Sequence, residues 1–190
     1  RTVNDAREPY VAEHNGNSIA FLACNASGPY YALVNEDESG LGGIRAGAAN
    51  CDWDWLESTL PALSETVDVL IVSVQYVEVE DYQPLEAQEI DFRRIANLGA
   101  DVVIGSQAHK PQTFEFYPTR RGEVAFIHYG LGNLFFDQPF WGNQRFFLDT
   151  LYISDGQIRA IELFPGIIED LARPRLMTAD ERENFMYFML

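Results

Sequence analysis

Three apolar runs in this chain end in polar residues of types that can do chemistry. One run, 67–74, passes into Gln75-Tyr76-Val77-Glu78-Val79-Glu80. A second, 101–104, passes into Gly105-Ser106-Gln107-Ala108-His109-Lys110-Pro111-Gln112. A third, 124–128, passes into Tyr129-Gly130-Leu131-Gly132-Asn133. If the three runs are neighbouring strands, Gln75, Gln107, His109 and Asn133 gather at one sheet edge, the place where open α/β sheets bind ligands. The set is built mainly of amides with one imidazole. His109 is the one residue there that is both a metal ligand and a proton carrier near neutral pH. Asn133, after Gly130-x-Gly132, also fits a turn that tolerates left-handed geometry. Glu78 and Glu80 read as a solvated acidic face, and Lys110 and Arg145 as partial offsets of the negative charge. His128 lies inside an apolar run and reads as core; His14, beside Asn15-Gly16, reads as a turn residue. No Gly-x-Ser-x-Gly elbow is present, so nucleophilic acyl transfer has no support.

The elements that must position these residues follow from pattern. Strands are expected over 18–24, 67–74, 101–104, 124–129, 146–154 and 157–164, with Asp155-Gly156 as a two-residue hairpin turn. Helices are expected over 52–66, with Trp53, Leu56, Leu60 and Leu63 inward and Pro61 kinking or splitting it. A second spans 84–98, with Leu85, Ile90, Ile95 and Leu98 inward, and a last spans 179–189 behind a Thr178–Glu181 capping box. The alternation of strand and helix through the middle predicts a layered α/β sheet with partly parallel strands, followed by an antiparallel hairpin. The stretch 28–50, with Gly40, Gly42, Gly43 and Gly47, reads as a surface excursion; nothing follows it that would cradle phosphate.

Composition bounds the rest. The 190 residues carry 13 Lys plus Arg against 29 Asp plus Glu, a net charge of −16, so nucleic acid and anionic membrane surfaces are poor partners. Hydrophobic residues make up 47%, enough for a packed core, and no apolar run reaches the length of a membrane span. Cys24 and Cys51 lack the spacing of a zinc or redox motif and read as two small apolar residues, with a single disulfide as the alternative.

The stretches Val69-Leu70-Ile71-Val72-Ser73-Val74-Gln75-Tyr76, Gly99-Ala100-Asp101-Val102-Val103-Ile104-Gly105-Ser106-Gln107-Ala108-His109 and Tyr129-Gly130-Leu131-Gly132-Asn133-Leu134-Phe135-Phe136-Asp137-Gln138 resemble the CapA family of capsule and poly-γ-glutamate synthesis proteins. The resemblance implies a layered α/β/β/α sandwich of the calcineurin-like metallophosphatase type, with a mixed sheet. It also implies that residues 1–190 are the carboxyl-terminal portion of one such domain, whose upstream segment supplies further metal ligands. An envelope polymer or a phosphoester is the implied substrate, and an extracytoplasmic or membrane-anchored parent the implied setting.

The departures from the family pattern bear on chemistry. Where the family has His-Trp-Gly this chain has Gln75-Tyr76-Val77, and where it has further histidines this chain has Ser106 and Gln107. The resemblance assigns His109, Gln107 and Gln75 to metal and Asn133, Glu78 and Ser106 to substrate or supporting contacts. An amide oxygen is a weak neutral ligand next to an imidazole nitrogen, so one strongly held divalent metal at most (Mn, Fe or Zn) is expected. The expected activity is a metal-dependent hydrolase with a weakened second site; the alternative is a non-catalytic polymer-binding or assembly component that keeps the fold.

Overall fold

The computed structural model describes residues 2–39 and 43–189; Gly40 and Gly42 of the excursion lie outside them. In chain order the elements are α1 (Val3–Arg7), β1 (Tyr10–His14), β2 (Asn17–Asn25), α2 (Trp53–Ser64), β3 (Val69–Gln75), α3 (Glu86–Asn97), β4 (Val102–Ser106), β5 (Phe114–Pro118), β6 (Val124–His128), β7 (Arg145–Ser154), β8 (Gln157–Glu169), β9 (Arg173–Leu176) and α4 (Ala179–Met189). Six strands form one sheet in the order β1-β2-β3-β4-β6-β5. Its four inner strands, β2, β3, β4 and β6, are parallel, and the edge strands β1 and β5 are antiparallel to their neighbours. The last three strands make a separate antiparallel sheet, β7-β8-β9. No described helix is long and apolar enough to cross a membrane.

The sheet is covered on both faces for a reason visible in its strands. β3 is apolar at nearly every position, the composition of a parallel strand with no solvent face. On one side Leu70, Val72, Val74, Val103 and Ile127 meet Leu56 and Leu60 of α2 and Phe92 and Ile95 of α3. On the other, Val69, Ile71, Val102 and Phe126 meet Leu151, Ile153, Ile158 and Ile161 of the second sheet. Each such side chain contributes about 1.5–3 kcal/mol by leaving water. α4 adds the last layer through Phe185 and Met189, which pack with Phe147 of β7. The order is therefore helices, mixed sheet, second sheet, helix, as expected.

The two sheets also meet through one polar pair. His128 of β6, fully buried, lies 2.7 Å by Nδ1 from Asp149 Oδ2 of β7, inside a ring of Phe114, Phe126 and Phe147. The core reading of His128 holds.

Four expectations change. Cys24 and Cys51 form a disulfide across a sequence separation of 27, where two unpaired apolar residues were expected. The excursion folds back so that Asn50 bridges Asn25 at the end of β2, which places the two cysteine Cα atoms 5.0 Å apart. Helix α3 starts two residues late, with Leu85 as a cap lacking a side-chain bond. Its buried stripe is Gln88, Phe92, Ile95 and Ala96, which leaves Leu85 and Ile90 exposed rather than inward. Pro61 does not split α2, which runs unbroken from Trp53 to Ser64 behind an Asp52 cap on the Trp55 N–H. Strands β1, β5 and β9 were not anticipated. The Asp155-Gly156 turn and the Thr178–Glu181 capping box are present as read.

Candidate functional site at the strand ends

The parallel strands deliver their carboxyl ends to one edge, with Asn25, Gln75 and Ser106 side by side in register. The Tyr76 N–H donates to the Ser106 carbonyl and the Ala26 N–H to the Gln75 carbonyl, which fixes the three ends to one another. Gln107 then adopts φ +83, a left-handed conformation rare for a residue with a branched-off side chain. Such a backbone costs about 1–2 kcal/mol and persists only where its surroundings hold it. It turns the chain out of β4, so that the Gln75 Nε2–H donates to Gln107 Oε1 at 2.8 Å. Gly105 sits just before this turn because β4 passes so close to the Tyr129 backbone that a Cβ has no room.

His109 lies in the following turn with a side chain 18% exposed. Its Nδ1 is 2.8 Å from Asn133 Oδ1. The Asn133 amide has one orientation here, because its Nδ2 donates to the Asn143 carbonyl (3.0 Å) and to Gln138 Oε1 (3.0 Å). Asn133 Oδ1 can only accept, so His109 carries its proton on Nδ1 and turns Nε2 outward. That nitrogen is 3.6 Å from Glu78 Oε1, and Phe136 packs against the ring at 5.0 Å. The edge thus holds two separate constellations: the Gln75–Gln107 amide pair, and the Asn133–His109–Glu78 line. Ser106 takes part through its backbone and makes only a 3.5 Å hydroxyl contact to the Val74 carbonyl.

Tyr76 looks like chemistry and is not. Its hydroxyl donates to Asp91 Oδ2 at 2.8 Å, and burial followed by that bond pushes its pKa up to about 12. It stays a neutral phenol, packed edge-on against Phe92.

The donor set tests the expected metal. Among the described residues no three His, Cys, Asp or Glu side chains stand together as a metal site. His109 Nε2 and Glu78 are two ionisable donors, fewer than the three protein ligands of catalytic zinc sites, and Gln75 and Gln107 are neutral amides, the Gln107 oxygen already accepting from Gln75. By themselves these residues do not fit a two-metal centre.

Some participants had escaped the sequence reading. Asn25 is 4% exposed at the end of β2, beside a cavity of about 270 Å³ that it lines with Ser73, Gln75 and Ser106. Its position one residue past an apolar run was the available signal. Asn143 and Gln138 orient Asn133, and only the tertiary structure brings them to it.

Comparison with known proteins agrees with this architecture. The capsule biosynthesis protein CapA of Bacillus anthracis is 26% identical over 123 residues, covering 65% of this chain and 28% of that protein. The PGA biosynthesis protein CapA of Bacillus subtilis (strain 168) is 32% identical over 92 residues, 47% of this chain and 23% of that protein. The chain thus spans about a quarter of the length of these relatives. Among solved structures, a putative 5'-nucleotidase from Staphylococcus aureus, determined in complex with alpha-ketoglutarate, covers 95% of this chain with 33% of its own, at a TM-score of 0.51 and 10% identity. At that identity the likeness is one of fold, and the fold is metallophosphatase-like. A family model described as bacterial capsule synthesis protein PGA_cap matches residues 1–138, including β1 to β6 and both constellations, and the chain belongs to that family.

Proposed function

We propose that the chain works in the synthesis of a capsule or related envelope polymer, poly-γ-glutamate among them, and that its strand-end cleft meets the polymer or a phosphoester of it. Within that role the geometry supports polymer binding or assembly over two-metal hydrolysis. The observation that carries this is the Gln75–Gln107 amide pair, neutral and joined by one hydrogen bond where metallophosphatase-like sites hold imidazoles. Hydrolysis by two ions needs both to activate water and neutralise the leaving oxygen. Asn25 and Ser106 offer further neutral hydrogen-bonding groups, a surface suited to hydroxyl and amide groups of a polymer.

A second reading has its own support in His109. Asn133 fixes the tautomer in the manner of partners that orient metal-ligating histidines, and leaves Nε2 open beside Glu78. In that reading His109 and Glu78 hold one divalent cation, Mn, Fe or Zn, with Gln75 and Gln107 as weak neutral donors, and a slow hydrolase results.

The test is elemental analysis of the complete gene product, its His109→Ala variant and a Gln75→His/Gln107→His variant, with turnover of p-nitrophenyl phosphate and a phosphodiester measured on each. The binding reading expects well under one equivalent of metal in the parent and no turnover, with metal rising only in the double histidine variant. A parent that holds metal, loses it with His109→Ala and turns over a phosphoester would overturn it in favour of the hydrolase.

A further inference from the structure

The basic residues of this chain are unusual in kind. They are 12 arginines and one lysine, set against 29 acids and leaving a net charge of −16. The lysine, Lys110, is largely covered: its side chain is 22% exposed, and its Nζ donates to the Glu80 carbonyl at 2.8 Å and pairs with the Glu80 carboxylate at 3.2 Å. Two of the arginines meet their acids through a fork of N–H groups. Arg93 bonds Glu115 at 2.8 and 3.1 Å, and Arg175 holds both Glu181 oxygens at 2.7 Å.

Many acids remain after such pairs are made. Glu8, Glu13, Glu38, Glu65, Glu86 and Glu183 are exposed and have no basic partner among the described residues, and they run from the edge strand β1 through the excursion, the end of α2 and the start of α3 to α4. Some acids also stand close to their like. Glu36 and Glu38 are separated by about 7 Å of chain at most, and Asp180 and Glu183 are neighbours on α4 at a side-chain spacing of about 5–6 Å. In about 0.1 M salt charges act across a Debye length of about 10 Å, so these acids repel; in 1 M salt that length is about 3 Å and they no longer do. A net charge far from zero opposes the compact state by this repulsion.

The choice of cation narrows the setting further. Adaptation to heat enriches lysine along with glutamate, and one lysine in 190 residues runs against that explanation. A guanidinium is more weakly hydrated than an ammonium and grips a carboxylate through a fixed fork, so its pairs keep their hydrogen bonds where salt has screened simple charge attraction. We infer that this protein is built for a medium of molar salt. Abundant cations there screen the acids of its surface from one another, and in dilute salt their repulsion opens the fold. The assignment rests on the surface as a whole and does not depend on what the strand ends do.

The test is thermal unfolding of the complete protein near neutral pH, followed by circular dichroism, in about 0.1 M and about 2 M KCl. The melting temperature is expected to rise by at least about 10 °C between the two, or the folded signal to be missing altogether at the lower salt. A variant carrying Glu8→Gln, Glu13→Gln, Glu38→Gln, Glu65→Gln, Glu86→Gln and Glu183→Gln takes the net charge from −16 to −10. All six side chains are exposed, so the exchange leaves the packing intact. Self-repulsion grows as the square of the net charge, so the variant should melt above the parent in dilute salt, and its rise with KCl should be about two-fifths of the parent's. A folded parent whose melting temperature rises by less than about 10 °C overturns the proposal. So does a variant whose rise equals the parent's, because salt then acts by strengthening apolar burial and not through charge.

Discussion

Reducing the Cys24–Cys51 disulfide should cost this protein a large share of its stability and loosen the wall of the strand-end site. The bond closes a loop with a sequence separation of 27. Chain-entropy arguments put the release of such a loop at about 3.5 kcal/mol of lost stability. For a domain of this size that corresponds to a fall in melting temperature of about 7–14 °C. The effect is also local. Cys24 precedes Asn25, whose N–H donates to the Ala49 carbonyl and whose carbonyl accepts from the Cys51 N–H, so the bond anchors the returning excursion to the end of β2. Ala48 and Ala49 of that segment form part of the cavity beside Gln75. The assay is urea unfolding followed by fluorescence, with and without tris(2-carboxyethyl)phosphine, after counting thiols in the denatured, unreduced protein. The count should be near zero, and the midpoint should fall on reduction while the slope rises, because the unlinked unfolded chain exposes more surface. Two free thiols before reduction, or a loss below about 1 kcal/mol, would refute the reasoning.

Two further outcomes follow from buried and capping charges. The Glu181 carboxyl is held down to about 2, from an ordinary 4.5, first by its bond to Arg175 and then by the Thr178 N–H. A depressed acid stabilises the folded state above its unfolded value, so the start of α4 should loosen as pH falls from about 4.5 toward 2. Amide exchange at residues 179–182 should report this, and Glu181→Gln should remove the dependence. In the core, His128→Phe strands Asp149, whose side chain is 5% exposed, without its partner, at a cost of about 3–5 kcal/mol in urea unfolding. The double variant His128→Phe/Asp149→Leu should recover much of that loss. A double variant no more stable than the single one would show that packing, not the stranded charge, sets the cost.

What could be read from the sequence depends on the range of the forces involved. The inner strands were legible because a parallel strand covered on both faces must be apolar along its length, as Val69–Gln75 is. Edge strands carry no such demand. In β5, Glu115 faces Arg93 while Phe116 is 60% exposed, so its pattern resembles a loop. Helix α3 misled for a related reason: Gln88 takes a core position because its Nε2 reaches the Tyr129 carbonyl and Gln112, while the apolar Ile90 lies outside. The disulfide needed knowledge that Asn50 returns to Asn25, a contact no local signal encodes. At the site, the sequence supplied the four residue types but not their pairing. That Asn133 serves His109, and Gln107 serves Gln75, depends on a left-handed turn at Gln107 and on Asn143, ten residues past Asn133.

The amide pair joins the ends of β3 and β4 through neutral groups. A glutamine amide carries both donors and an acceptor, so the Gln75 Nε2–H reaches Gln107 Oε1 without any ion between them. The strand ends keep their positions, since the packed apolar residues on both faces of the sheet, together with the Cys24–Cys51 link, set the backbone. His109 stands apart from the amide pair, oriented by Asn133 and facing Glu78. With the Nδ1–H directed to Asn133, the Nε2 of His109 is the ring nitrogen that faces the Glu78 carboxylate, at 3.6 Å. His109 is therefore the ionisable member of the Gln75, Gln107, His109 and Asn133 group, and the proposed preference for polymer over metal rests on the neutral amides at Gln75 and Gln107.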